Sequence, residues 1–345
     1  MSVKRVGILT GGGDCPGLNA VIRAIVRKGI DHHGLEVIGV LEGWKGLMEG
    51  LYRPLSLNEV SGILPKGGTI LSTSRTNPYN IDGGIRTVKD NIARMELDAL
   101  IAIGGDDTIG VASGLYEDGV KVVGVPKTID NDLEGTDQTF GFDTAINIVM
   151  EAVDRLHTTA ESHNRVMVCE VMGRHAGWIA VESGIAGGAD VVLIPEEPFT
   201  IQAVCETLKK RHERGKTFSI VVVAEGAKLA DDSMVLQSKE RDAFGHVRLG
   251  GIGNVLGEQI EKQTGFETRV TVLGHIQRGG SPTAFDRVLG TRSGIAAVDL
   301  VAQGEFGKMV SLRGTEIVSV DIKDAVSKNR TVDMGLYDIA KVFFG

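Results

Sequence analysis

Ala99-Leu100-Ile101-Ala102-Ile103-Gly104-Gly105-Asp106-Asp107-Thr108 passes from an unbroken apolar run into two glycines and two carboxylates. A second apolar run, Val120 to Val125, leads into Pro126-Lys127-Thr128-Ile129-Asp130-Asn131-Asp132. Such runs read as strands covered on both faces, and charged, glycine-containing segments directly after them read as the carboxyl ends of parallel strands, where α/β enzymes gather their chemistry. Each piece alone has an ordinary explanation: Asp and Gly are common in strand-end turns, and Asp107 could cap a helix beginning at Thr108. Taken together, carboxylates, glycines that admit a phosphate to the backbone and a lysine that offsets its charge point to phosphoryl transfer with Mg²⁺.

The alternation continues outward. Further strands are expected at Arg5 to Leu9, Glu36 to Val40, Val166 to Val171, Val191 to Ile194, Ser219 to Ala224 and Val270 to Leu273. Most are continuous rather than alternating apolar runs, which favours an α/β fold with mostly parallel sheets covered by helices. Leu18, Val21, Ile22, Ile25 and Val26 share one helical face, as do Ala145, Ile148, Val149, Ala152, Val153 and Leu156, and both stripes read as core. The 345 residues suffice for one large core or two smaller ones, and no linker or repeat marks a boundary.

A net charge of −8 without any basic run argues against nucleic acid and against acidic membrane surfaces as partners. Cys15, Cys169 and Cys205 are far apart and lack metal-ligand spacing, so neither a disulfide framework nor a zinc site is indicated, and a reducing cytoplasm fits. The first strand begins directly after Met1-Ser2-Val3, which leaves no room for a signal peptide, and no apolar run reaches membrane-spanning length.

Thr10-Gly11-Gly12-Gly13-Asp14-Cys15-Pro16-Gly17 joins the first strand to the helix from Leu18, where free N–H groups and the helix dipole favour an anion. It has neither the Gly-Lys-Ser/Thr of a Walker loop nor the spacing of a dinucleotide fingerprint. Met172-Gly173-Arg174, Glu225 and Leu273-Gly274-His275-Ile276-Gln277-Arg278-Gly279-Gly280 follow three later strands, and Arg165 and Arg269 open two of them. Five arginines (Arg75, Arg165, Arg174, Arg269 and Arg278) with His275 suit two phosphate sites, while Glu225 can accept from sugar hydroxyls.

Gly-Gly-Asp-Asp-Thr, Pro-Lys-Thr-Ile-Asp-Asn-Asp, Glu-Val-Met-Gly-Arg and Leu-Gly-His-Ile-Gln-Arg-Gly-Gly-Ser-Pro, in this order, closely resemble the 6-phosphofructokinase family from about Val6 to about Ala297. The resemblance implies a two-lobed phosphofructokinase fold. The larger, phosphoryl-donor lobe would comprise residues 1–141 and about 277–327, and the smaller, fructose 6-phosphate lobe residues 142–276 and about 328–345. It implies phosphorylation of fructose 6-phosphate at its 1-hydroxyl, with Asp130 as the base, Thr128 and Asp132 beside it, and Asp106 as the magnesium ligand. Arg165, Met172, Gly173, Arg174, Glu225, Arg269, His275 and Arg278 would hold the sugar phosphate, and Gly12 and Arg75 would border the donor. It also implies a homo-oligomer, dimer or tetramer, in which Arg165 and Arg269 reach the neighbouring subunit's pocket.

The pair Asp107 and Lys127 resembles the pyrophosphate-dependent branch, since ATP-using members usually carry glycine at the first position and often at the second. A carboxylate at 107 would repel the α-phosphate of ATP, and Lys127 would neutralise a departing phosphate. An ATP-dependent or mixed-donor enzyme is the alternative. Other kinases sharing Gly-Gly-Asp would lack the two arginine motifs, and a regulatory sugar-phosphate binder would have no need of both Asp106 and Asp130. Of the positions matching the effector site of bacterial ATP-dependent relatives, Arg23 and Arg27 are retained and His157 and Asp190 depart, which implies reduced regulation.

Overall fold

The computed structural model describes residues 3–230 and 235–344. Along the chain run β1 (Arg5–Thr10), α1 (Leu18–His33), β2 (Glu36–Val40), α2 (Gly43–Glu49), β3 (Tyr52–Leu55), α3 (Gly84–Arg94), β4 (Ala99–Gly104), α4 (Asp106–Glu117), β5 (Val122–Thr128), β6 (Phe140–Gly141) and α5 (Phe142–His163). Then come β7 (Val166–Val171), α6 (Trp178–Ala186), β8 (Val191–Leu193), α7 (Ile201–Glu213), β9 (Ser219–Ala224), β10 (Leu236–Arg241), β11 (Val247–Leu249), α8 (Ile252–Thr264) and β12 (Thr268–Val272). A 3₁₀ turn (Gly274–Arg278) precedes α9 (Ala284–Gln303), β13 (Lys308–Arg313), β14 (Glu316–Asp321), α10 (Ile322–Ala325) and α11 (Met334–Lys341).

Two compact units result. Unit 1 comprises Met1–Thr144, Asp242–Gly245 and Arg278–Asn329; unit 2 comprises Ala145–Arg241, His246–Gln277 and Arg330–Gly345. Unit 1 carries a sheet of order β14-β13-β5-β4-β1-β2-β3, with β6 also paired to β5. Its central pairs are parallel, and its two margins, β2 with β3 and β13 with β14, are antiparallel. Because β1 has β2 on one side and β4 on the other, the connections leaving β1 and β4 diverge, and the loops after both strands meet at a switch point: Gly11 N–H donates to Ile103 O at 3.0 Å. The core beneath is built from Leu9, Ile38, Trp44, Leu100, Ile109, Leu115 and Met309 among others.

Unit 2 carries an all-parallel sheet, β12-β7-β9-β8, over a core of valines from β7, β8 and β9 with Leu256 and Ile260 of α8. The carboxyl ends of its adjacent strands β12, β7 and β9 therefore deliver Gly274 to Gln277, Met172 to Arg174, and Glu225 side by side. Among the described residues no helix is long and apolar enough to cross a membrane.

Sequence periodicity located eight strands (β1, β2, β4, β5, β7, β8, β9 and β12) and passed over β3, β6, β10, β11, β13 and β14. In β14 the exposed and half-buried residues leave no continuous apolar run to read. One boundary is corrected. β5 continues through Pro126 to Thr128, so Lys127 and Thr128 belong to the strand and not to the turn after it. Proline is tolerated there because pairing with β13 stops at Gly124 and pairing with β6 starts at Lys127, so no ladder bond is lost at Pro126.

Candidate active site

In unit 1 the loop after β1 is fixed from three sides. Gly12 N–H donates to Ser74 O (3.2 Å), and Thr73 Oγ1 donates to Gly12 O (2.7 Å), which ties the loop to the segment carrying Arg75. Asn19, buried at the start of α1, donates to Lys66 O and Gly67 O and accepts from Ile70 N, fixing the entry to that segment. Gly12 has φ 75°, a region open to glycine at little cost. Arg75 itself is exposed and ion-paired with Asp242 at 3.3 Å. Arg278 Nη1 donates to Asp14 O (3.2 Å), and its guanidinium lies where a Cβ on Gly13 would fall. Lys127 Nζ donates to Gly13 O. Burial holds its amine below the ordinary lysine value, Arg278 lowers it further, and Asp130 and Asp14 oppose the fall. Cys15, in the same loop, is buried with its thiol pushed up to about 12 by that burial. It is an inert packing residue.

Asp106 and Asp107 form the first turn of α4, favourably placed against the helix dipole. The helix is flanked by Gly105 and starts at Asp106, so Asp107 is not its cap. Thr108 is buried behind them, filling the space that side chains at Gly11 and Gly104 would otherwise occupy. After β5 the chain makes a tight turn: Asp130 N–H donates to Thr128 Oγ1 (3.0 Å), Asn131 takes φ 54°, and Thr139 donates through N to Asn131 Oδ1 (3.1 Å) and through Oγ1 to Thr128 O (2.8 Å). Thr128, Asp130 and Asp132 are all buried. Asp130 Oδ1 has no solvent exposure to speak of and no hydrogen-bond partner. A buried carboxylate oxygen left in that state is costly unless something outside the chain completes it.

Further along, Asp286 at the head of α9 accepts from Thr144 N (2.8 Å) and Thr144 Oγ1 (2.5 Å), just where α5 leaves unit 1. Burial raises its carboxyl to about 6.

In unit 2 the Met172-Gly173-Arg174 loop follows β7 in an unusual conformation. Gly173 has φ 135° and Arg174 φ 52°. Arg174 N–H donates to Glu225 Oε1 (3.2 Å), Ala176 N–H to Gly173 O (2.9 Å), and Gly177 N–H to both oxygens of Glu196 (3.0 and 3.1 Å). Glu170, buried in β7, accepts from Gly251 N and Gly253 N and so caps α8. Arg165 and Arg269 both pair with Glu267, the former at 2.7 Å, and hydrogen bonding from Arg165 holds the Glu267 carboxyl below the usual range. Arg269 lies inside β12 and does not open it. His275 is exposed.

The sequence-derived site residues thus divide. Gly12, Arg75, Asp106, Asp107, Lys127, Thr128, Asp130, Asp132 and Arg278 belong to unit 1; Arg165, Met172, Gly173, Arg174, Glu225, Arg269 and His275 belong to unit 2. Arg278, grouped with the sugar-phosphate residues by resemblance, packs on the glycine loop of unit 1. Sequence reading gave no role to Asn19, Glu170, Glu267 or Asp286; the carboxylate of Glu170 inside an apolar strand run was the one visible signal. Of the effector-type positions, His157 is engaged by Gly187 O (2.8 Å), and Asp190 by Ile220 N (2.8 Å) and Arg211 (2.9 Å).

Among the described residues no cluster of three or more His, Cys, Asp or Glu side chains is arranged to hold a metal. Mg²⁺ at a phosphoryl-transfer site needs only one or two carboxylates, the substrate phosphates supplying the rest. Asp106 in the first turn of α4 fits that mode of binding.

The Phosphofructokinase family profile matches residues 5–301. The chain belongs to the phosphofructokinase family. As a phosphofructokinase it is 59% identical, over 99% of its length and all of the relative's, to the pyrophosphate--fructose 6-phosphate 1-phosphotransferase of Amycolatopsis methanolica, and 60% identical over 99% and 100% to the like-named protein of Streptomyces coelicolor. The ATP-dependent 6-phosphofructokinase of Mycobacterium leprae is 52% identical over 99% and 100%. Among solved structures, Saccharomyces cerevisiae phosphofructokinase superposes with a TM-score of 0.82 at 31% identity, covering 99% of this chain and 46% of the yeast chain, so the chain spans less than half of that relative. The pyrophosphate-dependent phosphofructokinase of Marinobacter aquaeolei (TM-score 0.83, 21% identity, 96% and 86% covered) shares the fold.

Proposed function

We propose that this phosphofructokinase transfers a phosphoryl group from pyrophosphate to the 1-hydroxyl of fructose 6-phosphate, giving fructose 1,6-bisphosphate and phosphate, reversibly, in the cytoplasm. The observation that carries the reaction type is Asp130, whose buried, unpartnered Oδ1 stands at the end of β5, the strand beside β4, from which the paired aspartates of α4 follow. The Oδ1 atom accepts the hydroxyl proton as the new P–O bond forms, with Thr128 Oγ1 holding the Asp130 backbone in place and Asp132 beside it. An in-line transfer through a loose transition state needs alignment and charge neutralisation more than covalent help. Asp106 would hold Mg²⁺, which would add to that charge neutralisation. Gly12 and Arg75 border the donor, and Arg165, Met172, Gly173, Arg174, Glu225, Arg269, His275 and Arg278 bind the sugar phosphate. On this reading unit 1 is the donor lobe and unit 2 the sugar-phosphate lobe, and a homo-oligomer completes each site with Arg165 and Arg269 of a neighbour.

Pyrophosphate is favoured over ATP by Asp107 and Lys127. The former carries negative charge that repels the α-phosphate joining ATP to its nucleoside; the latter stabilises the departing phosphate. The full-length relatives at 59% and 60% identity carry the pyrophosphate name, against 52% for an ATP-dependent one. Initial rates with each donor at saturating fructose 6-phosphate and fixed free Mg²⁺ test this in wild type, Asp107→Gly, Lys127→Gly and the double variant. Wild type should use pyrophosphate, Asp107→Gly should gain ATP activity, and Lys127→Gly should lose about 100-fold in pyrophosphate kcat/KM. A wild type that prefers ATP would overturn the donor assignment.

A further inference from the structure

Gln277 is fully buried, which is uncommon for glutamine, and both ends of its amide are used. Its Oε1 accepts from Met172 N (3.2 Å), and its Nε2 donates to Gly274 O (3.0 Å). One partner opens the Met172-Gly173-Arg174 loop after β7; the other opens the Gly274–Gln277 part of the turn after β12, which carries His275. We infer that Gln277 is a positioning residue for sugar-phosphate recognition: its amide locks these two loops into one register.

The inference rests on the proposed sugar-phosphate reading of unit 2, and its physical ground is the conformation of the first loop. Arg174 at φ 52° sits in the left-handed region that L side chains rarely adopt, beside Gly173, whose freedom admits φ 135° among many other values, so the loop needs contacts from outside to hold this one shape. Its outside fixtures include Gln277 at Met172, Glu225 at Arg174 and Glu196 at Gly177. Glu225 already counts as a ligand in the proposed site, and Glu196 acts beyond the loop at the start of α6. Gln277 alone of these three joins the loop to the His275 turn. No isosteric residue reproduces the bond pair: leucine offers neither partner, glutamate keeps the acceptor for Met172 and sets a carboxylate against Gly274 O, and asparagine is a methylene too short. Loss of the amide removes the partner of two half-buried backbone groups, the Met172 N–H and the Gly274 carbonyl, at once.

The test uses the full-length enzyme with Gln277→Leu and Gln277→Glu, measuring KM for each substrate, kcat, and hydrogen–deuterium exchange of the segment 172–176. The Leu variant should raise KM for fructose 6-phosphate about tenfold or more while KM for pyrophosphate and kcat stay within about threefold, because the donor half-site is built in unit 1. The Glu variant, which keeps the bond from Met172, should recover part of that loss, and exchange over 172–176 should speed up in the Leu variant. An unchanged KM for fructose 6-phosphate, or equal damage to both substrates, would overturn the inference. Should the Leu variant not fold, the same split in the Glu variant decides it. If wild type fails to turn over fructose 6-phosphate, the functional reading falls; unaltered exchange over 172–176 would then remove the positioning role as well, and faster exchange would retain it.

Discussion

Lys127, Thr128, Asp130 and Asp132 in unit 1 are buried, with Lys127 and Thr128 bonded to the backbone around them, whereas in unit 2 Arg269 and His275 are exposed and two arginines share the single carboxylate of Glu267. On the proposed reading, the contrast follows from what each half must do. Groups aimed at a transition state gain most in a dry, rigid setting, where fields are strong and nothing has to reorganise during the reaction. A polar sugar phosphate must enter and leave, and long guanidinium arms suit an anion that exchanges with water. Changes at the buried groups of unit 1 should therefore appear in turnover or stability, and changes at the exposed groups of unit 2 as small shifts in affinity.

The largest expected effect is at Asp130. Asp130→Asn should lower kcat by about a thousandfold, with fructose 6-phosphate binding within about threefold, as loss of a positioned base does. Steady-state kinetics together with equilibrium titration would check it, and parallel loss of binding would break the contrast. Asp286 gives a stability effect of intermediate size. Its carboxyl is raised from 3.8 to about 6, so the folded state holds the proton more tightly, and the associated stability is present below pH 3.8 and lost as pH rises through about 6. Asp286→Asn should therefore gain stability relative to wild type between pH 4 and pH 7, by about 3 kcal/mol at most. Denaturant melts of both proteins across that window would measure the gain, and a pH-independent difference would refute it. Glu267→Gln should do least. Exposed ion pairs contribute about 0–1 kcal/mol, so KM for fructose 6-phosphate should move by less than about threefold. A tenfold change would mean that Glu267 orders the arginines more firmly than an exposed pair can.

Much of this was legible in the chain. Continuous apolar runs gave the parallel strands of both sheets, and the segments after β4, β5, β7 and β12 are those on which the proposed site rests, because parallel strands hidden on both faces must place their polar groups at their ends. The marginal strands β3 and β14 escaped since half-exposed strands lack such runs, β13 because Ser311 interrupts its short buried run, and the apolar run that stops at Val125 gave β5 an end that the structure moves to Thr128. Roles set by distant neighbours left no local trace. Arg278 leans on the glycine loop because of where the chain enters unit 1, and Asn19, Asp286 and Gln277 act on backbone that is remote in sequence.

The interleaving of the two units also bears on biosynthesis. β5 acquires β4 as a neighbour at once, but its partner on the other side, β13, begins roughly 180 residues later, a delay of about 10–35 seconds at ordinary ribosomal speed. In that interval the nascent sheet presents an open strand edge, the feature most apt to recruit a foreign chain. β7 waits likewise for β12. Slow or crowded expression should thus favour aggregation of incomplete chains over misfolding of finished ones, and chaperone demand should fall once β13 has emerged.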